Sequence, residues 1–380
     1  MADLSVKYCG VTYQNPLILA SATPGWDGNA MLLAAKQGIG GVIPKTIGPE
    51  QEWAKHPRNG RFYIYKKKNI PIGQVNLELF TTKTRGDWLD HDLEIAKQGR
   101  AVMHISLLAM PEPEQTAALV EEIQSTGLAD ILELNVSCPM PAKTVGMHIG
   151  KSAEKTFAQV KAAKETAKIP LTVKLTPNVA SMIEIAQAAK EAGADGITIS
   201  NSIRAFAGVD IEIGKPYLCA YGGYTGPAIK PIIMRHVSEV AKQVDIPISA
   251  VGGVSSYRDV IEYIMLGAVT VQLCTSVMWQ GYALISKILS DLNGWMEEKG
   301  YTSFEDIRGM ALGNITSVEE LARLPAKHAV IDAASCIQCG ICRRVCFYRA
   351  ITDLYRVRYD QCDGCGACEQ WCPKKAVTLC

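Results

Sequence analysis

The chain has 380 residues, of which 39 are Lys or Arg and 38 are Asp or Glu, so its formal net charge is +1 at pH 7. With 48% hydrophobic and 20% charged residues, it is neither a disordered nor a fibrous protein. The near-zero net charge gives no reason to expect nucleic acid or a membrane surface as a partner.

Several features of the sequence indicate a cytoplasmic protein. The N-terminal sequence MADLSVKYCG lacks the basic and apolar regions of a signal peptide. No stretch reaches the roughly 18 apolar residues of a membrane span. Nine of the 13 cysteines lie between Cys336 and Cys380, and such clustering indicates metal binding in a reducing compartment instead of a disulfide framework.

Eight short apolar runs alternate with amphipathic segments, such as 152–166, 181–192 and 232–244, up to about residue 290. Continuous runs of this kind are typical of parallel strands covered on both faces, and eight strand–helix units favour a closed (β/α)8 TIM barrel. An open doubly wound α/β sheet is the alternative, but its G-x-G-x-x-G fingerprint does not occur. The runs are PLILAS, GVIPKT, VMHISL, ILELNV, LTVKLT, GITISN, ISAVGG and TVQLCT.

The composition changes near residue 330, which predicts a domain boundary. We expect a catalytic barrel over residues 1–300 and a connector over 301–328. A small α+β domain, dominated by Cys, Gly and Arg, follows over 329–380.

This C-terminal domain contains the spacing C-x2-C-x2-C-x3-C twice. In two-cluster bacterial ferredoxins, three closely spaced cysteines hold one [4Fe-4S] cluster and the fourth ligates the other cluster. Zinc sites are the alternative, since C-x2-C is also a zinc spacing, but two quartets favour two [4Fe-4S] clusters. The predicted ligands are Cys336, Cys339, Cys342 and Cys372 for one cluster, and Cys346, Cys362, Cys365 and Cys368 for the other.

Two segments at predicted strand ends suggest a phosphate-bearing cofactor. Gly252-Gly253 follows the seventh apolar run, and Cys274-Thr275 follows the eighth. Loops after strands seven and eight of these barrels form the usual phosphate site, where backbone N–H groups can surround an anion.

The motifs NPLILASATP, VIPKT, NLEL, ELNVSCP, VKLTPN, ISNS, GGYTGPAIKPI, ISAVGGV and LGAVTVQLCTSV resemble, in order, the class 1 dihydroorotate dehydrogenase family. The cysteine-rich domain and the Asn76-x-Glu78 pair make the dihydropyrimidine dehydrogenase family the closer match, over almost the whole chain. The resemblance implies an FMN cofactor. It assigns FMN to Ala20, Ser21, Lys45, Thr46, Lys174, Gly226, Gly252, Gly253, Cys274 and Thr275.

The resemblance also implies a pyrimidine pocket with Cys138 as the proton donor. Asparagine amides offer both a donor and an acceptor to the alternating N–H and C=O groups of a pyrimidine. The implied reaction reduces the C5=C6 bond of uracil or thymine, with hydride from FMN N5 and a proton from Cys138. The implied substrate-binding residues are Asn76, Glu78, Asn135, Ser137, Asn201 and Ser202.

Three other functions stay open. Dihydroorotate dehydrogenase is disfavoured by Met140 and by Glu78, whose charge would repel the carboxylate of orotate. A reductase of another cyclic amide or enone would use the same pocket. A non-catalytic electron-transfer subunit would bind FMN without turning over a substrate.

The sequence has no nicotinamide or FAD fingerprint, so electrons must come from a partner. We expect either an FAD-containing, NAD(P)H-oxidising subunit or a ferredoxin to deliver them to the cluster domain. The resemblance implies a homodimer or a complex with such a partner.

Overall fold

The computed structural model describes residues 2–48, 56–138 and 145–380. The chain forms two compact units, Met1–Gly313 and Asn314–Cys380. Each unit is described separately below.

The division between the units falls inside the predicted connector, residues 301–328. The first part of that segment is held by the barrel unit, because the backbone N–H groups of Gly309 and Ala311 donate to the carbonyl groups of Ile264 and Met265, at 3.0 Å each. These bonds account for the extension of the first unit beyond residue 300.

The strands of the chain are mostly short. In the barrel they are buried on both faces, which fits their continuous apolar sequences. The strands are β1 Val6–Tyr8, β2 Val11–Tyr13, β3 Leu17–Leu19, β4 Gly41–Val42, β5 Phe62–Lys67, β6 Ile70–Asn76, β7 Val102–Leu108, β8 Ile131–Asn135, β9 Leu171–Lys174, β10 Gly196–Ile199, β11 Ile203–Ala205, β12 Val209–Asp210, β13 Lys215–Pro216, β14 Gly222–Thr225, β15 Ile248–Val251, β16 Thr270–Leu273, β17 Ala329–Ile331 and β18 Val377–Leu379.

Helices separate the barrel strands. Several begin at a side-chain cap, as where the Asp27 carboxylate accepts from the N–H of Ala30. In the described part of the chain, no helix combines the length and apolar character needed to cross a membrane. The helices are α1 Gly28–Lys36, α2 Arg85–Asp87, α3 Leu93–Lys97, α4 Pro113–Ser125, α5 Met147–Gly150, α6 Ala153–Thr166, α7 Met182–Glu191, α8 Lys230–Gln243, α9 Tyr257–Met265, α10 Thr275–Gln280, α11 Ala283–Lys299, α12 Val318–Leu321, α13 Ile341–Val345 and α14 Ala367–Gln370.

Eight parallel strands close into a barrel in the order β10-β15-β16-β3-β4-β7-β8-β9. These are the eight apolar runs predicted from the sequence, so the TIM-barrel prediction is confirmed. Large apolar side chains pack around the barrel strands, and they include the fully buried Leu17, Ile105 and Ile197. The barrel interior also holds buried polar side chains, among them Glu133 and Thr198.

A second sheet, with strand order β11-β14-β6-β5, was not predicted from the sequence. Its first hairpin joins β5 to β6 through Lys68 and Asn69, which both have positive φ angles, of 49° and 65°. Two consecutive residues with positive φ form the turn that best matches the twist of paired strands. This sheet carries Asn76 at the end of β6.

The second unit is a small α+β domain, as predicted. Strands β17 and β18 pair in antiparallel orientation. The apolar residues Ala329, Ile351 and Val377 form its core together with Cys342 and Cys368. Cysteine side chains thus make up a large part of the interior of this unit.

Truncation of Leu19 to Ala should test the barrel core. Leu19 is fully buried on β3, so Leu19→Ala should lower the free energy of unfolding by about 2–5 kcal/mol through lost burial and a residual cavity. The control is Leu33→Ala, at a leucine that is 50% exposed, and it should cost less than about 0.5 kcal/mol. Equal losses for both variants in denaturant unfolding would contradict this packing.

Candidate functional site

An open cavity of about 1060 Å³ lies at the carboxyl ends of the barrel strands. Many of its lining residues lie at or just beyond the ends of β3, β4, β8, β9, β10, β15 and β16, because all parallel strands of a barrel end at the same rim. All but one of the predicted cofactor, substrate and proton-donor residues line this cavity. They are Ala20, Ser21, Lys45, Thr46, Asn76, Glu78, Asn135, Cys138, Lys174, Asn201, Ser202, Gly226, Gly252, Gly253, Cys274 and Thr275.

The Gly252-Gly253 turn has a conformation that other residues rarely adopt, with φ angles of 150° and 74°. A Cβ atom on Gly253 would lie 2.7 Å from the Cβ of Lys230. Asp259 stabilises the adjacent loop by accepting from the backbone N–H of Ser255, at 2.9 Å, and by pairing with Lys230. A bare backbone at the rim of the cavity fits the phosphate group of FMN.

Four buried polar atoms of the cavity wall have no hydrogen-bond partner within the described chain. They are Thr225 Oγ1, Gln272 Oε1, Ser276 Oγ and Glu78 Oε1, and the last has ion-pair contacts only. Buried polar groups are normally hydrogen-bonded, so these atoms favour a polar ligand, and the residues present fit FMN. Sequence analysis missed Gln272, although a glutamine within the apolar run TVQL was a visible signal.

Hydrogen bonds bring together four of the predicted substrate residues. Asn135 donates to Thr46 Oγ1 at 2.9 Å and accepts from the Ser137 hydroxyl at 2.8 Å. The same hydroxyl accepts from Asn201 Nδ2 at 3.0 Å, and Asn201 Oδ1 accepts from the Ser202 N–H at 2.7 Å. Ser137, the one predicted residue that does not line the cavity, therefore orients two asparagine amides that do.

Asn76 is held by the second sheet and not by a barrel strand. Its Nδ2 donates to the carbonyl of Gly223 at 2.9 Å, and its Oδ1 accepts from the N–H of Glu78 at 3.2 Å. These bonds place the Asn76 and Glu78 side chains on the cavity wall. One side of the candidate substrate pocket thus comes from outside the barrel.

Glu78 lies among cationic and polar side chains. Its Oε2 contacts Lys45 Nζ and accepts from Thr23 Oγ1 at 3.1 Å, while its Oε1 lies 3.1 Å from Arg61 Nη1. Burial favours a higher pKa for Glu78, but the neighbouring cations, above all Lys45, outweigh it and the pKa is lowered. The sequence suggested that Glu78 would repel a carboxylate substrate. Its cationic neighbours partly cancel that repulsion.

His56 supports the Arg61–Glu78 contact as a neutral side chain. Burial lowers its pKa, and its Nδ1 lies 2.5 Å from Arg61 Nη1, a group that can only donate. The Nε2–H group then donates to the carbonyl of Phe80 at 3.2 Å. Sequence analysis missed His56 and Arg61, because both lie in a polar stretch without strand or helix periodicity.

Cys138 lies three residues beyond the end of β8 and lines the cavity. It packs in a small apolar cluster with Phe80, Leu108 and Val145. Its backbone carbonyl accepts from the N–H of Met147 at 2.9 Å. Met140, which disfavours a dihydroorotate dehydrogenase in the sequence, lies outside the described residues.

Two further cavities lie within the second unit, with volumes of about 320 and 340 Å³. Backbone N–H groups approach the sulfur atoms at both, as where Ala376 N donates to Cys372 Sγ at 3.2 Å and Ala350 N donates to Cys346 Sγ at 3.4 Å. Each cavity is surrounded by three cysteines from one run and one from the other. Cys336, Cys339, Cys342 and Cys372 line the first, and Cys346, Cys362, Cys365 and Cys368 line the second.

The four cysteine sulfur atoms around each cavity fit the ligand set of a [4Fe-4S] cluster. In the described ranges, no group of three or more His, Cys, Asp or Glu side chains is arranged to hold a single metal ion. Cys380 is exposed and lines neither cavity.

Comparison with known proteins gives matches for both units. Residues 3–296 match the family described as dihydroorotate dehydrogenase, and residues 329–352, which contain the first cysteine run, match the 4Fe-4S binding domain. A crystal structure of DHODH in complex with ferulenol from Eimeria tenella aligns with a TM-score of 0.67 at 20% identity, over 81% of this chain and 88% of that chain. At that identity the likeness concerns the fold alone.

Curated relatives match most of the chain. The catalytic subunit of dihydroorotate dehydrogenase B (NAD(+)) from Pyrococcus abyssi is 35% identical over 321 residues, 81% of this chain and 99% of the relative. The NAD-dependent dihydropyrimidine dehydrogenase subunit PreA of Escherichia coli K12 is 31% identical over 355 residues, 91% of this chain and 85% of the relative. The chain therefore belongs to the dihydroorotate dehydrogenase family of flavoenzymes and carries a 4Fe-4S binding domain.

Proposed function

We propose that this chain is the FMN-dependent catalytic subunit of an oxidoreductase that reduces the C5=C6 bond of uracil or thymine. The observation that carries the proposal is that Asn76, Glu78, Asn135 and Asn201 line the same cavity as Cys138. Their amides and carboxylate match the alternating donors and acceptors of a pyrimidine ring. The relative from E. coli is named for this activity.

The proposed chemistry divides between the cofactor and the chain. When bound, FMN supplies the hydride for C6 of the pyrimidine. Cys138 holds the proton that C5 receives, and a thiol is mostly protonated at neutral pH. The asparagine amides orient the ring so that C5 faces the Cys138 sulfur, and proximity of this kind lowers the barrier.

The residues proposed to hold FMN come from both sides of the cavity. Lys174 brings a positive charge to the wall, which suits the flavin edge that gains negative charge on reduction. Ser21 and Thr46 donate to or accept from each other at 3.0 Å and offer hydroxyl groups to the ring. Gly226, Gly252, Gly253, Cys274 and Thr275, which line the same cavity, would surround the phosphate group of FMN.

Electrons are proposed to arrive through two [4Fe-4S] clusters in the cysteine-lined cavities. Their source would be an FAD-containing, NAD(P)H-oxidising partner subunit or a ferredoxin. The names of both relatives describe subunits, which supports a partner for this chain as well.

The second candidate is dihydroorotate oxidation or orotate reduction. One observation favours it, namely that Lys45 and Arg61 both approach the Glu78 carboxylate. A pocket in which two cations offset the charge of Glu78 can accommodate a substrate carboxylate more easily than a pocket with an unpaired glutamate. The relative from P. abyssi is named for this activity.

The identity of the substrate can be tested by anaerobic stopped-flow absorbance of the reduced holoprotein. We expect flavin reoxidation on mixing with uracil or thymine, and slow or no reoxidation with orotate. The Cys138→Ser variant should bind FMN normally but reoxidise at least about a hundredfold more slowly, because a general acid contributes roughly 10²–10⁴ to the rate.

The control for Cys138→Ser is Cys219→Ser, at an exposed cysteine away from the cavity, which should react at the wild-type rate. Fast reoxidation by orotate alone would favour the second candidate. Unchanged rates in Cys138→Ser would remove this residue from the proton-donor role.

Glu78→Gln should change the preference between neutral and anionic pyrimidines. The variant leaves Lys45 and Arg61 without their carboxylate, so reoxidation by orotate should increase relative to uracil by about tenfold or more. Stopped-flow rates with both substrates measure this ratio. Glu319→Gln, at an exposed glutamate, removes the same charge elsewhere, and an equal change in that control would contradict the role of Glu78.

Cys372→Ser should affect the first cluster only. Cys372 lines the cavity that contains Cys336, Cys339 and Cys342, so bound iron and acid-labile sulfide should fall by about half if each quartet holds one four-iron cluster. Chemical analysis of the purified protein measures both. Cys380→Ser is the control, and iron retention in Cys372→Ser equal to that control would overturn the assignment.

A further inference from the structure

Glu133 is a carboxylate enclosed by the barrel interior, below the candidate flavin pocket. It lies on β8 and is fully buried. Its Oε2 accepts from Thr198 Oγ1 at 2.8 Å. Its Oε1 lies 3.7 Å from Lys174 Nζ and has no hydrogen-bond partner among the residues that the structure describes.

The neighbouring His104 does not neutralise Glu133. Thr172 Oγ1 donates its proton to the carbonyl of Leu132 at 2.9 Å, so His104 Nε2 must be the donor in its own 2.9 Å contact with Thr172. This leaves His104 Nδ1 as a bare acceptor without a partner. Burial lowers the pKa of His104 to about 4, and the ring is therefore neutral.

Lys174 is thus the cation that balances Glu133. Burial favours a higher pKa for Glu133, but the attraction of Lys174 and the hydrogen bonds from neighbouring side chains together outweigh it, and the pKa is lowered. Lys174 itself is 4% exposed and lines the cavity. The lysine that faces the cofactor space is consequently half of a buried ion pair.

Side chains on β10, β15 and β16 hold the Glu133–Lys174 pair in place. Gln272 Nε2 donates to Thr198 Oγ1 at 3.3 Å and to Ser249 Oγ at 3.0 Å. Since the Thr198 hydroxyl donates to Glu133, these bonds link the carboxylate to the cavity wall at Gln272. The carboxylate has little freedom to turn away from Lys174.

We propose that Glu133 is a positioning residue that limits how strongly the positive charge of Lys174 acts on the bound flavin, and thereby sets its reduction potential. This inference rests on the proposed binding of FMN in the cavity. An uncompensated ammonium group stabilises a reduced, anionic flavin more than an oxidised one. A carboxylate 3.7 Å away weakens that preference, because the two fields oppose each other.

The test is the reduction potential of FMN in Glu133→Gln, measured by anaerobic redox titration of the full-length holoprotein against a reference dye. Glutamine keeps the size of the side chain and an acceptor for Thr198 but removes the charge. The preference for reduced over oxidised FMN should rise about tenfold, which corresponds to ~30 mV for a two-electron couple. Glu133→Asp keeps the charge and should stay close to the wild type.

A double-mutant cycle separates this role from a purely structural one. Lys174→Met should lower the potential, and adding Glu133→Gln to Lys174→Met should shift it no further, because a buried Glu133 that has lost its cation takes up a proton and carries no charge. If Glu133→Gln alone loses FMN, the comparison of the double variant with Lys174→Met carries the test, and equal potentials in these two variants support the proposal.

Three results would overturn the proposal: an unchanged potential in Glu133→Gln, an equal shift with and without Lys174, or a shift in Glu133→Asp as large as that in Glu133→Gln. None of these measurements uses a pyrimidine. If the protein does not reduce uracil or thymine, the reduction potentials can still be interpreted. If Glu133 does not affect the potential, the proposed substrate is unaffected.

Discussion

The parallel pairing of eight barrel strands is the constraint on which the candidate site depends. Parallel strands that close into a barrel all end at one rim, so residues far apart in sequence, such as Ser21, Asn135 and Cys274, come to line a single cavity. The backbone ladder needs no particular side chain at the strand ends. Those positions are free to carry polar groups, while the Val, Ile and Leu residues within the strands build the core.

Three lysines at or beside this rim have carboxylate partners. Lys45 contacts Glu78, Lys174 lies next to Glu133, and Lys230 pairs with Asp259 behind the glycine turn. Buried charges are costly unless they are paired, and pairing also reduces the net electrostatic field in the cavity. Discrimination between ligands then depends largely on the directions of hydrogen bonds and on which partner a ligand can displace.

The sequence predicted the barrel because its strands are buried on both faces and appear as uninterrupted apolar runs. It did not predict the hairpin of β5 and β6, where exposed lysines interrupt the pattern. At the site, strand-end residues such as Asn135 and Lys174 were found through motifs. Arg61, His56 and Glu133 were not, because their significance arises from tertiary contacts with Glu78 and Lys174 that no local pattern contains.

Each cysteine run contributes one sulfur atom to the cavity of the other run, and this arrangement has a consequence for the folding of the C-terminal unit. Cys372 completes the cavity of the first run, and Cys346 completes that of the second. Neither run can therefore assemble a full set of four sulfur ligands before the other has folded beside it. The two halves of this unit are expected to fold as one body, because each cavity takes one of its sulfur atoms from the other half.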